Sequence, residues 1–132
     1  MVDTAITIKV PHGNQLNRVL HYYSNAALTA STSIREWVIP AYYRILQVIV
    51  DSETTNIGAG VDRIDVNVNG TSIYSATADK PYLTPGDTGQ WKSSDNYVTQ
   101  DLVPGDVVSF DVDNIATTGS ARVKVNIVLG PR

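Results

Sequence analysis

Cysteine is missing from all 132 residues. Its absence excludes disulfide scaffolds, thiolate nucleophiles and zinc ribbons, and leaves the redox compartment open. Charge is sparse as well, at 17% of residues, with 10 basic side chains against 13 acidic ones for a net charge of -3. That balance, with a pI near 5.1, argues against nonspecific nucleic-acid binding, which needs clustered Lys and Arg to neutralise phosphates. No apolar run approaches the roughly 18 residues of a membrane-crossing helix, so no membrane span is expected. The opening Met1-Val2-Asp3-Thr4 lacks the basic and then apolar layout of a signal peptide. Catalytic signatures are lacking too: G-x-S-x-G, H-E-x-x-H, a Walker loop and a complete G-x-G-x-x-G are all absent. Gly58-Ala59-Gly60 starts the last of these, but has neither the third glycine nor a following helical pattern, and reads as a loop.

What remains is a chain of one domain's length, 42% hydrophobic and rich in β-branched residues, which excludes intrinsic disorder. Alternation of period two dominates it. Ile6, Ile8 and Val10 share one face of a strand over residues 4–10, stopped by Pro11-His12-Gly13-Asn14. Residues 15–33 are ambiguous: 18–23 reads as a strand, while Leu16, Val19, Leu20 and Tyr23 also fit a short helix over 15–27. The small-residue run 26–33 reads as a loop or extended arm. The chain therefore divides into an N-terminal strand and arm, residues 1–33, and a β-sandwich, residues 34–132.

Within that sandwich, residues 34–39 form a strand ended by Pro40, and 43–50 a strand apolar on both faces apart from Arg44 and Gln47. Such a strand is expected to be covered twice, by its partner sheet and by an arm or another subunit. Residues 61–68 place Ile64, Val66 and Val68 inward and Arg63, Asp65 and Asn67 outward. Asn69-Gly70 then predicts a type I′ hairpin turn, whose two central residues need positive φ, with a return strand over 71–76. Residues 77–100 form a long connection with short strands at most. Pro104-Gly105-Asp106 is a second tight turn. It launches a strand at 107–112 with Val108, Phe110 and Val112 inward, and a closing strand follows at 121–129. Seven or eight short strands with recurrent turns predict an all-β, two-sheet antiparallel sandwich.

Few residues have the makings of chemistry. His12 sits in a turn and His21 beside two tyrosines, and neither has a local motif for a nucleophile or ligand role. Asp111 and Asp113 fall on the outward face at a strand end, where calcium could find oxygen ligands. The EF-hand spacing is absent, however, and strand-end Asp and Asn are common turn formers, so no metal site is expected. Asp62 and Asp65 lie on opposite strand faces and cannot pair as a catalytic dyad. No catalytic residue and no cofactor are assigned. Trp91, in a polar loop, is a candidate sugar-stacking residue together with Tyr97 or Tyr82; packing at one end of the sandwich or on a neighbouring subunit is its alternative.

The strand and hairpin over 65–74 with Lys80-Pro81, the Pro-Gly-Asp turn and strand over 102–115, and the closing strand over 121–129 together form a pattern. It resembles the small jelly-roll β-sandwich domains of tailed-bacteriophage virion proteins, over about residues 34–130. Such domains occur as capsid decoration (cement) proteins and as modules of tail fibres and baseplates. The resemblance implies a jelly roll and a non-enzymatic virion role, most simply a cement protein on the capsid surface, made in the host cytoplasm. It implies the major capsid protein and further copies of the chain, as a homotrimer, for partners. The alternative is a glycan- or receptor-binding module of a tail appendage, with the aromatic platform above. The candidate interface residues are the arm's Ile6, Ile8 and Val10, and the aromatics Tyr22, Tyr23, Trp37, Tyr42, Tyr43 and Trp91, because interface energy concentrates in such anchors.

Overall fold

The computed structural model describes residues 2–3, 6–9, 16–53, 58–84, 91–94, 97, 101–118 and 121–132. Their strands are β1 (Val2–Asp3), β2 (Ile6–Lys9), β3 (Leu16–Ser24), β4 (Ser31–Val38), β5 (Tyr43–Ser52), β6 (Asp62–Val68) and β7 (Thr71–Ser72). After a single 3-10 turn at Thr77–Asp79 come β8 (Tyr82–Leu83), β9 (Trp91–Ser94), β10 (Asp101–Leu102), β11 (Val107–Asn114) and β12 (Val123–Pro131). Sheet 1 runs β1-β4-β11-β6-β7, with β8 also on β6; sheet 2 runs β10-β5-β12-β3-β2, with β9 also on β5. The one parallel pairing among them is β1 with β4.

From β3 to β6 the chain alternates between sheets, and β11 and β12 return to the middle of each. Thus β12 lies between β3 and β5, and β11 between β4 and β6, which is the strand order of a jelly roll. The core forms where the inward residues meet. Leu20, Ile45, Val48, Val50, Val125 and Ile127 of sheet 2 pack on Trp37, Ile64, Val66, Val108 and Phe110 of sheet 1. Phe110 is its hinge point: Tyr22 meets it edge-on across the sheets at 4.9 Å, and Trp37 stacks on it at 6.1 Å.

The region least legible in the sequence is resolved by pairing. Residues 16–24 are strand, not helix, because β12 supplies a ladder along 18–24 and β2 one along 16–19; Leu20 then faces the core while His21 and Tyr23 face out. Residues 31–33 are no arm either. They begin β4, and Ser31 pairs with Val112 of β11, so the division expected at residue 33 falls inside a strand and the sandwich takes in β3. The register slips between Phe110 and Val112, and Ser33 takes a φ of 48° there while its amide donates to Asp111 Oδ1 at 2.7 Å. The expected return strand 71–76 is reduced to β7. The type I′ turn forms as expected, with φ of 51° at Asn69 and 84° at Gly70.

Candidate functional site

Trp37 and Tyr43, expected at an interface, lie in the chain's own core, with 2% and 7% exposure. Their alternation marks burial, and the opposing sheet already provides it. Arg18, the cross-strand partner of Leu129, donates from Nε to the Tyr43 hydroxyl at 2.5 Å and lies 5.4 Å from its ring centre. Tyr22 is half-buried against Phe110, with Arg35 over its ring. Tyr23 and Tyr42 are exposed, at 45% and 61%. Ile6 and Ile8 belong to β2, which pairs with β3 of the same chain; Val10 is outside the described residues. Trp91 begins β9 and is paired with Asp51.

The sugar platform does not assemble around Tyr97. Its ring packs on Tyr74 at 5.6 Å, and its hydroxyl accepts the Val48 amide at 2.9 Å. Tyr82, 39% exposed, lies on the β6 edge of sheet 1 beneath Arg63.

The outer face of sheet 1 is sealed by polar chemistry. Asp65 and Asp111 are cross-strand partners, and with Asp113 they bring carboxylate oxygens within 4.8 Å of one another. Lys80, carried over the sheet by the segment around the 3-10 turn, sets its ammonium 2.7 Å from Asp113 and 3.1 Å from Asp65. Ser72 donates to the other Asp65 oxygen at 2.6 Å, and both Asp111 oxygens accept hydrogen bonds, from Ser33 N–H and Asn67 Nδ2. Burial works against the lysine's charge, but hydrogen bonds and attraction from Asp113 and Asp65 outweigh it and hold Lys80 above its usual 10.5. Each of the three carboxylates is thus engaged within the chain, Asp65 and Asp113 by the one ammonium and Asp111 by hydrogen bonds alone. Asp62 faces the other way, buried, and accepts the Ala116 amide at 2.8 Å.

The outer face of sheet 2 is different. Cross-strand partners share a face, so the registers set out its rows: Tyr23–Lys124–Asp51, then His21–Asn126–Ile49, then Val19–Val128–Gln47. Arg44 follows beside Gly130. Val19, Ile49 and Val128 are each only partly buried. A bulge between Ile45 and Gln47 turns out Leu46, which is 48% exposed and lies over Gly130. Of these apolar side chains Leu46 is the exposed one, and the three β-branched residues keep part of their surface open. The second face of β5, read from the sequence as needing a cover, is this surface. His21 binds Asn126 through Nδ1 at 2.6 Å in its middle.

At one end of the sandwich, Val38, Tyr42 and Val103 are exposed together. Their loops are tied by the Ile39 amide donating to Asp106 and the Gly105 amide donating to Ile39. Beyond the opposite end of β3, an open groove is lined, among the described residues, by apolar side chains such as Leu28 and Ile34 and by the hydroxyls of Tyr22, Ser24 and Thr32.

No family model matches the chain, and no curated protein matches it. Among solved structures, a chain from the capsid of Ralstonia phage GP4 superposes with a TM-score of 0.56 at 16% identity, over 98% of this chain and 96% of that one. Such identity speaks to the fold, which the two share along their whole length. Part of a β-glucosidase from Paenibacillus barengoltzii superposes over 94% of this chain and 13% of the enzyme, at 10% identity and a TM-score of 0.40, too slight a likeness to carry an argument.

Proposed function

We propose that this chain is a non-enzymatic structural component of a phage virion, a decoration protein that stabilises the head by bridging coat subunits. The observation that carries this reading is the shared fold with a phage capsid chain over 98% of one and 96% of the other. The end-to-end match leaves neither chain a large region without a counterpart. Among the described residues, exposed Val38, Tyr42 and Val103 offer apolar and aromatic surface for such binding. Binding of this kind acts by many small contacts, and copies linked on one lattice raise one another's effective concentration.

The deciding experiment is electron microscopy of assembled particles, paired with capsid melting in the presence and absence of the protein. Density for the sandwich on the outer head surface, with earlier capsid melting in its absence, is the expected result. Density confined to the tail, or capsids that melt identically without the protein, would reject the reading.

A further inference from the structure

We propose that the outer face of sheet 2 is a self-complementary interface, through which two copies of this chain pack face to face about a twofold axis. The two outer faces of the sandwich divide the work. That of sheet 1 is closed by Lys80 and its carboxylate partners, whereas that of sheet 2 presents partly exposed Val19, Ile49 and Val128 and the exposed Leu46. Apolar side chains on a face this regular are the usual centre of an interface, with charges at its rim.

The arrangement of charge selects the occupant. Along β5 the outward positions run from Arg44 through Gln47 and Ile49 to Asp51, so opposite charges stand at the two ends of an uncharged middle. A twofold axis crossing the strands between the levels of Gln47 and Ile49 lays β5 antiparallel over β5 of a second copy. Asp51 of each copy then faces Arg44 of the other, and the pair occurs twice by symmetry. The same operation sets Lys124 opposite Gly130, away from any cation, and brings each Asp51 to an Arg44 that also holds Asp101. An axis running along β12 instead would oppose Lys124 to itself, which like-charge repulsion disfavours. Arg44 already lies 3.0 Å from Asp101, but that pair is about half exposed and can be shared at little cost.

Sedimentation equilibrium and native mass spectrometry of the full chain test this. The expected species is a dimer. Arg44→Asp and Asp51→Arg should each raise the dimer dissociation constant by about tenfold or more, because each places like charges in two contacts. The double variant R44D/D51R should return it to within about threefold of the starting value, a rescue that a folding defect would not show. Ile49→Lys, at the centre, should leave only monomer with an intact circular dichroism spectrum. A monomeric or trimeric wild-type chain overturns the proposal, as does a double variant no tighter than the singles. A monomer whose attachment to coat particles is abolished by Ile49→Lys also overturns it, and hands the face to the coat protein.

Discussion

Asn69 and Asp106 join the two turns of the chain into one unit: Asn69 Nδ2 donates to Asp106 Oδ1 at 2.9 Å. The Val107 amide in turn donates to Asn69 Oδ1 at 2.9 Å, and the Val103 amide to Asp106 Oδ2 at 2.9 Å. The hairpin after β6 and the turn before β11 thereby fix each other where these strands pair, beside Val68 and Val108. Asn69→Ala loses the two bonds of the Asn69 side chain and keeps a side chain at positive φ, and should cost about 2 kcal/mol in urea unfolding. Asn69→Gly relieves the backbone and should cost about half as much. In a double-mutant cycle, Asn69→Ala and Asp106→Ala should couple by about 1 kcal/mol; strictly additive losses would show that the turns are independent.

Lys80 makes stability fall in alkali. Its folded value is raised above the usual 10.5, so the folded state holds this proton more tightly than the unfolded chain. The contribution is complete below pH 10.5 and is lost as the pH rises through the folded value. Lys80→Met removes it and leaves Asp65 and Asp113 to repel, which should cost about 2 kcal/mol at neutral pH, below the cost of breaking a fully buried pair. The gap between the two proteins should narrow above that window. Unfolding curves at pH 7 and at stepped values above 10 check both; a constant gap would contradict the assignment.

The loop at Gly58 is constrained by its neighbour. Gly58 has a φ of 93°, and a β-carbon there would lie 2.2 Å from Thr117 Oγ1 and 2.3 Å from its Cβ. Gly70 has a φ of 84° with nothing within 4 Å. Gly70→Ala should therefore show backbone strain alone, about 1 kcal/mol. Gly58→Ala adds a clash and should lose about 2–3 kcal/mol. Partial relief by Thr117→Gly, which removes both the Oγ1 and the Cβ, in the Gly58→Ala background would identify the clash as the cause.

Local signals made part of this legible. Asn69-Gly70 specifies its turn through backbone conformation, and the alternation in β6, β11 and β12 specifies which residues meet in the core. Two groups of residues are legible only through distant pairing. Ser31, Thr32 and Ser33 bury too little apolar surface to read as strand, yet β11 holds them, pairing with Ser31 and accepting the Ser33 amide on Asp111. Lys80, a single lysine before Pro81, gives no sign that its partners are Asp65 and Asp113. The aromatic candidates show the same limit: alternation marks Trp37 for burial but cannot say whether its cover comes from the same chain or from another.

That distinction yields opposite expectations for two aromatics close in sequence. Trp37, 2% exposed and stacked on Phe110, belongs to the fold. Trp37→Ala should lose about 3–5 kcal/mol, the range for emptying a large core site. Tyr42, 61% exposed under Arg132 at 6.0 Å, belongs to the surface. Tyr42→Ser should change stability by less than about 0.5 kcal/mol, while weakening attachment to coat particles if the Val38–Tyr42–Val103 end binds them. Thermal unfolding and particle co-sedimentation of the same two variants separate the roles. A Tyr42→Ser protein that binds particles at full strength would remove this end from the contact and leave the other exposed surfaces to make it.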